Sequence, residues 1–205
     1  MELTIFTLIV LLFSIIIHEL AHGSVALYLG DPTAKVRGRL TLNPLKHLDP
    51  FGSIVLPLLM LLITFGRGPV FGWAKPVPIN PNNFRDKRWG SLKVAAAGPA
   101  VNFFVAIIFA LLIRFLNLPD SFFLFFSIIA IYNFLWGIFN LLPLPPFDGS
   151  WILFSLLPEK WQGVRVFLQE YGLIIILFII FFGLGLLAKA AEFLFYLVSG
   201  QPFLF

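Results

Sequence analysis

The sequence contains no cysteine. This absence excludes disulfide bonds and thiolate metal sites, so any metal ion must be held by histidine, aspartate or glutamate. Charge is also scarce, since Asp, Glu, Lys and Arg together make up only 12% of the 205 residues. A soluble domain of this length exposes too much surface to be covered by so few charges. The composition therefore excludes an ordinary soluble enzyme.

Apolar residues are abundant instead: 60% of the chain is hydrophobic, 26 residues are phenylalanine, and the mean hydropathy is +0.97. A membrane-spanning helix needs about 20 mostly apolar residues. Four runs meet this condition, at residues 3–29, 92–116, 121–142 and 171–187, the last running on toward residue 198. We therefore predict an all-α polytopic membrane protein. It would form one intramembrane domain, with a core over residues 1–157 and a further helix at 171–198.

A fifth apolar run, residues 53–65, is only 13 residues long and contains Pro57. Its length predicts a re-entrant or membrane-edge hairpin. Basic residues lie on both sides of it, and the positive-inside rule then places both loops on the cytoplasmic side. The basic residues form no single stripe, so we expect no nucleic-acid partner. Residues 31–49 alternate weakly and permit a strand pair at the membrane edge, whereas the prolines of residues 66–88 exclude a continuous helix.

The pentapeptide His-Glu-Leu-Ala-His at residues 18–22 interrupts the first apolar run. Residues 3–17 cover about 22 Å, less than the roughly 30 Å hydrocarbon core, so this stretch lies within the membrane. Ionisable groups at that depth are costly and by default mark function. His18 and His22, four residues apart, can both reach one zinc ion, with Glu19 beside them as general base. The alternative is a pair of core histidines bonded to their neighbours.

A catalytic zinc usually has three protein ligands. Asp148, in the stretch NLLPLPPFDGSW just after the third span, lies at the same membrane level and is the predicted third ligand. Capping of a short helix at 149–157 is the alternative role for Asp148. His47 is another candidate ligand, although its basic loop favours a solvated histidine. An unrelated zinc membrane protease would use a glutamate, for which Glu159 and Glu170 are available.

Three sequence elements together resemble the site-2 protease family of intramembrane zinc metalloproteases, in its compact prokaryotic branch. They are HELAH, the element Gly98-Pro99-x-x-Asn102, and residues 140–149, which match N-x-x-P-x-P-x-x-D-G. The resemblance covers residues 15–157. It implies three core helices around one Zn²⁺ ion.

The same resemblance implies a role for each site residue. His18, His22 and Asp148 would bind the zinc ion, Glu19 would be the base, and Asn140 would help to hold the reacting carbonyl. Some other members carry an extra amino-terminal span, a PDZ insert or a nucleotide-sensing domain. We expect this chain to lack these parts, and therefore expect no regulation through them.

Asn140 follows Asn133 by seven residues, so the two side chains are predicted to share a helix face that points at the cavity. Hydrogen bonding between helices is an alternative role for Asn133, for Asn102 and for Asn140.

The predicted function is zinc-dependent hydrolysis of peptide bonds in transmembrane segments of protein or peptide substrates. It would take place in the lipid bilayer of the cell membrane, with the active site toward the cytoplasm. A substrate helix must unwind before attack, and a strand edge in residues 31–49 would hold it. The alternative function is a membrane zinc carrier or a catalytically silent membrane interaction protein. A carrier needs polar residues at several depths, and the outer halves of these helices have almost none.

Overall fold

The computed structural model of the protein describes residues 2–63, 65 and 74–203. Within these ranges the regular elements are helical, and the single β contact is an isolated bridge between Leu48 and Ala74. The α-helices in chain order are α1 (Glu2–Tyr28), α2 (Thr33–Val36), α3 (Leu56–Ile63), α4 (Gly90–Phe115), α5 (Asp120–Asn140), α6 (Asp148–Leu156), α7 (Gln162–Phe178) and α8 (Leu184–Ser199). The predicted all-α architecture is confirmed.

Four helical segments of the described chain are long and apolar enough to cross a membrane. They are α1, α4, α5 and the continuous segment Glu159–Ser199, in which a π-helical turn, Ile179–Gly183, joins α7 to α8. The four predicted spans are thus confirmed, although the last helix begins before residue 171. The 41 residues of that segment extend roughly 60 Å, about twice the hydrocarbon thickness, so only part of it can lie in the bilayer core.

Helix α4 lies at the centre of the fold, in contact with α1, α5, α6 and α8. Its contacts with α5 and α8 form a buried cluster rich in alanine. The members are Ala106, Ala110, Ala130 and Ala191 with the larger Ile113, Ile131, Phe134 and Phe195. Small side chains let helix backbones approach closely in lipid, where packing rather than hydrophobic exclusion drives association. Helix α4 is therefore closely packed on the α5 and α8 side, and α1 packs its polar residues against it.

The short apolar run folds as a π-helical turn, Pro50–Val55, followed by α3. Together the turn and α3 cover about 21 Å at most, less than a bilayer core. Within the described residues this segment is not among the helices long and apolar enough to cross a membrane, in agreement with a re-entrant or membrane-edge position. Thr64 and residues 66–73, which include part of the proline-rich segment, lie outside the described residues.

The strand pair expected in residues 31–49 is wrong. This part of the chain forms α2 and a 3₁₀ turn, Pro44–Lys46. Side chains close both turns locally, because Asp31 accepts a hydrogen bond from the amide of Thr33 and Asn43 accepts one from the amide of Leu45. Such contacts two residues apart offer the backbone an alternative to a strand ladder.

Asp31, which is fully buried, ties residues 80–83 to the end of α1. Its carboxylate accepts hydrogen bonds from the backbone amide of Asn80 at 2.7 Å and from the side-chain amide of Asn83 at 2.8 Å, in addition to both donors of Thr33. Burial by itself would raise the pKa of Asp31, but the hydrogen bonds from Asn80, Thr33 and Asn83 hold that pKa below its ordinary value.

Arg39 and His47 hold the preceding residues of the same segment. Arg39 donates to the carbonyl of Lys75 at 2.7 Å, and the carbonyl of His47 accepts from the Lys75 amide at 2.8 Å. Residues 75–80 have no regular secondary structure and run from these contacts to Asn80. The segment 74–83, whose one regular element is the 3₁₀ turn Pro81–Asn83, is therefore held by residues 31–47, through the side chains of Asp31 and Arg39 and the carbonyl of His47.

We expect Asp31→Asn to loosen residues 74–83, because the new amide places N–H groups against groups that are themselves donors. A hydrogen bond to a charged group is worth about 1.5–3 kcal/mol, so backbone deuterium exchange in this segment should accelerate roughly tenfold or more at pH 7. Asp120→Asn, at an exposed carboxylate, is the matched control and should change nothing.

The difference in deuterium exchange between wild type and Asp31→Asn should depend on pH. Because the pKa of Asp31 is lowered in the folded chain, its stabilising effect is complete above the ordinary aspartate pKa of about 3.9 and is lost as the pH falls through the folded value. The difference between wild type and Asp31→Asn should therefore shrink below about pH 4. Equal exchange of the two proteins at pH 7 would contradict this account.

Candidate metal centre

His18 and His22 lie on the face of α1 that packs against α4, where they are 4% and 6% exposed. The helix continues without interruption through this stretch to Tyr28. The imidazole ring centroids are 4.6 Å apart at an interplanar angle of 84°, and the two Nε2 atoms are 3.0 Å apart. The i, i+4 spacing thus brings one nitrogen of each ring to a common point.

Asp148 reaches these nitrogens from the first turn of α6. Its Oδ2 lies 3.0 Å from Nε2 of His18 and 3.1 Å from Nε2 of His22. The three atoms form a triangle small enough for a single ion to contact all of them, since zinc binds nitrogen and oxygen at about 2.0–2.2 Å. Among the described residues these three side chains are the one group arranged to hold a metal.

The other nitrogen of each ring faces an acceptor on α4. Nδ1 of His22 lies 2.7 Å from the carbonyl of Val94, and Nδ1 of His18 lies 2.6 Å from Oδ1 of Asn102. Because these oxygens can only accept, each Nδ1 carries the hydrogen and each Nε2 presents a lone pair. Two lone pairs and a carboxylate about 3 Å apart repel one another unless a cation lies among them. The chemistry of this donor set therefore fits a zinc ion.

Gly98 lets α4 approach this close to the imidazoles. A Cβ built on it would lie 2.4 Å from Nε2 of His22 and 2.6 Å from Nε2 of His18. Real Cβ atoms do not approach other atoms this closely. Only hydrogen at position 98 therefore keeps the space beside both nitrogens open.

Gly149 has the corresponding role for the carboxylate. A Cβ on Gly149 would lie 2.2 Å from the carbonyl oxygen of Leu141 and 2.4 Å from that of Leu142. Glycine therefore allows the first turn of α6 to pack against the end of α5, and this packing brings Asp148 to the histidines.

Glu19 borders a cavity of about 450 Å³ beside the metal-binding atoms. Its Oε2 accepts a hydrogen bond of 2.7 Å from the backbone amide of Val77. Val77 lies between Pro76 and Pro78 in the segment that also borders the cavity. The prolines favour extended backbone, but nothing in the sequence indicated that this amide meets Glu19.

Asn140, at the end of α5, borders the cavity and donates to the carbonyl of Trp136 at 3.0 Å. A side-chain amide has two hydrogens, so the second can donate to a group in the cavity. Asn133 lies elsewhere: it is buried, and its Oδ1 accepts from Asn102. The prediction that Asn133 faces the cavity is therefore wrong. Seven residues correspond to about 10 Å along a helix, and at that distance from Asn140 the side chain of Asn133 meets Asn102 of α4 and does not border the cavity.

The other predicted alternatives are not favoured by the structure. His47 is 1% exposed and its Nε2 donates to the carbonyl of Thr41, so the expected solvated histidine is wrong. It is not part of the metal-binding group, and neither are the exposed Glu159 and Glu170. The side chain of Asp148 faces the histidines, and α6 has no side-chain cap.

Comparison with known proteins identifies relatives of the same kind. The sequence signature of peptidase family M50 matches residues 117–183. The protein named "Putative zinc metalloprotease YwhC" of Bacillus subtilis is 39% identical over 189 residues, which cover 88% of this chain and 82% of the relative. The protein named "Putative zinc metalloprotease Rip2" of Mycolicibacterium smegmatis is 33% identical over 171 residues, which cover 80% of this chain and 62% of the relative. No solved structure matches the chain significantly.

The helices and the site together define a multi-pass membrane metalloprotease. The chain belongs to peptidase family M50, the site-2 protease family, and is a zinc metalloprotease.

We expect Gly98→Ala to abolish zinc binding, because the added methyl group would occupy the space beside the two Nε2 atoms. Zinc content per purified protein, measured by elemental analysis, should fall from about one to near zero. Gly163→Ala is the matched control, since a Cβ at that position meets nothing within 4 Å. Full zinc content in Gly98→Ala would show that the metal lies elsewhere.

Proposed function

We propose that this zinc metalloprotease is an endopeptidase that cleaves peptide bonds within the transmembrane segments of membrane-protein substrates. His18, His22 and Asp148 would hold the zinc ion, Glu19 would be the general base, and Asn140 would bind the reacting carbonyl. We place the enzyme in the cell membrane with its site toward the cytoplasm, because the loops beside the site carry most of the basic residues.

The position of the cavity carries this proposal. Its walls include His18 and His22 of α1, Val94 of α4 and Asn140 of α5, all within helices long and apolar enough to cross the membrane. The apolar part of α1 before His18 covers about 22 Å of a roughly 30 Å hydrocarbon core. A cavity at that level is within reach of a polypeptide that is itself embedded in lipid.

The side chains that border the cavity would supply the parts that peptide hydrolysis needs. When bound, zinc lowers the pKa of a water molecule and polarises the carbonyl of the scissile bond. The carboxylate of Glu19 would take a proton from that water and later return it to the leaving amine. The Val77 amide holds one oxygen of Glu19, which leaves the other for proton transfer. The second amide hydrogen of Asn140 would stabilise charge on the carbonyl oxygen.

A substrate helix must unwind locally, because its amides are hidden in internal hydrogen bonds. The predicted strand edge in residues 31–49 does not form, but Pro76, Val77 and Ile79 of the segment 74–83 border the cavity. We propose that the unwound substrate lies extended along this segment.

A zinc carrier is the weaker alternative. Transport through a membrane needs ligands at successive depths. The described chain contains one three-ligand group, held between α1 and α6. A single fixed site favours catalysis over transport.

We expect Glu19→Gln to keep zinc but to lose cleavage of a model transmembrane peptide in proteoliposomes. Gln retains an oxygen that can accept from Val77, so the segment 74–83 should stay in place, whereas general-base catalysis worth about 10²–10⁴-fold disappears. Zinc content and cleavage rate should be measured on the same preparation.

Glu170→Gln, at an exposed carboxylate of α7, is the matched control and should retain both zinc and activity. Mass spectrometry of the wild-type products should place the cut inside the hydrophobic span of the substrate. Cleavage only in its water-exposed flanks would argue against intramembrane hydrolysis, and undiminished cleavage by Glu19→Gln would remove Glu19 from its role.

We expect Asp148→Asn to weaken zinc binding, because a neutral amide replaces the one anionic ligand. The loss should exceed the 10–100-fold that is typical of removing a group that merely orients a ligand, as measured by competition with a zinc-binding dye. Asp120→Asn, at an exposed carboxylate in the first turn of α5, should leave the affinity unchanged. Unaltered affinity in Asp148→Asn would mean that another group is the third ligand.

A further inference from the structure

Two buried asparagines connect His18 to the middle of α5. Oδ1 of Asn102 lies 2.6 Å from Nδ1 of His18, and Nδ2 of Asn102 donates to Oδ1 of Asn133 at 2.9 Å. Asn102 is 0% exposed and Asn133 is 1% exposed, and neither borders the cavity. A continuous polar relay, His18–Asn102–Asn133, therefore joins α1, α4 and α5 inside the membrane-spanning core.

Such a relay needs a reason beyond stability. Hydrogen bonds between membrane helices contribute little on average, and a buried polar group is costly wherever it is not fully bonded. Apolar side chains of the same volume would fill this space at less risk. The positions of Asn102 and Asn133 are therefore better explained by what they do to His18.

Two backbone carbonyls fix the direction of every hydrogen bond in the relay. Nδ2 of Asn133 donates to the carbonyl of Ile129 at 2.8 Å, and Nδ2 of Asn102 also donates to the carbonyl of Ser14 at 3.2 Å. Because a carbonyl can only accept, each side-chain amide must present its oxygen on the opposite side. Oδ1 of Asn102 therefore accepts from Nδ1 of His18. The lone pair of His18 is then on Nε2, the atom that faces the other two metal-binding groups.

We propose that Asn102 and Asn133 are positioning residues that lock His18 in the Nδ1–H tautomer and so raise the affinity of the site for zinc. The inference rests on the proposed role of His18 as a zinc ligand. A free neutral imidazole can carry its hydrogen on either nitrogen and can turn about its side-chain bonds. The relay removes both freedoms before the metal binds. His22 is held instead by the backbone carbonyl of Val94, so the side-chain relay acts on His18 alone.

Zinc affinity of the purified full-length protein in detergent, measured by competition with a zinc-binding dye, tests the relay. Asn102→Leu has similar volume but no acceptor for His18, and it should weaken binding about 10–100-fold. Asn133→Leu should weaken binding less, because Asn102 keeps its bond to Ser14. Ser127→Ala is the matched control: this residue of α5 is 1% exposed, and its hydroxyl has no partner in the described chain, so affinity should not change.

The double variant, Asn102→Leu with Asn133→Leu, distinguishes a positioning role of the two asparagines from a simple packing defect. If Asn133 acts only through Asn102, Asn133→Leu has no further effect on zinc affinity once Asn102 is leucine. Two independent packing defects would add their effects, and additive losses would overturn the relay.

The tautomer can also be observed directly. The chain has three histidines, so ¹⁵N imidazole spectra of the zinc-free protein can be assigned residue by residue. We expect His18 to be in the Nδ1–H form in wild type and in a mixture of both forms in Asn102→Leu. A single unchanged tautomer together with unchanged affinity would overturn the proposal. If Asn102→Leu does not fold, Asn133→Leu alone decides: affinity equal to that of Ser127→Ala would overturn it.

His18→Ala distinguishes this inference from the proposed function. If His18→Ala loses zinc while Asn102→Leu binds it as tightly as wild type, the relay is wrong and the metal site stands. If His18→Ala retains wild-type zinc affinity, the assignment of the metal site itself is wrong.

Discussion

Two imidazole nitrogens and a carboxylate oxygen meet within 3.1 Å of one another, and the rest of the structure depends on this contact. The three atoms repel one another in the absence of a cation, so the protein must hold them together from outside. Helix α4 holds the two imidazoles, because its Gly98 admits both rings and its Val94 carbonyl and Asn102 side chain accept from their outer nitrogens. The packing of α6 against the end of α5 brings the carboxylate of Asp148 to them.

The membrane makes this rigidity necessary. Lipid offers no hydrogen bonds, so every polar group at that depth must be satisfied by the protein. The bundle packs closely on alanines around α4, and the buried polar groups near the histidines are bonded within the protein, since Asn102 and Asn133 bond to each other and to backbone carbonyls. The cavity beside the histidines is bordered on one side by the segment 74–83, which side chains such as Asp31 and Arg39 hold in place. The candidate metal-binding atoms thus lie beside a segment whose residues 75–80 have no regular secondary structure, and the proposed binding of an unwound substrate rests on this arrangement.

Several features could be read from the sequence because they depend on local periodicity. Apolar run length predicted the four spans, and the spacing of His18 and His22 predicted that their rings share one helix face. The position of Asp148 near the histidines could be predicted because it directly follows the third span, which ends on the same side of the membrane as the first. Local hydrogen bonds of Asp31 and Asn43 overrode the weak alternation of residues 31–49, so the strand prediction failed.

Other features were decided only by the tertiary structure. His18 and Asn102 are separated by 84 residues, and Glu19 and Val77 by 58, so no local pattern relates them. Whether such side chains meet depends on how far each helix is rotated and how closely two backbones approach, and small residues such as Gly98 set that approach. The sequence by itself thus indicated which residues can bind a metal, because the spacing of the two histidines is local. The packing of α4 against its neighbours decided which groups orient them.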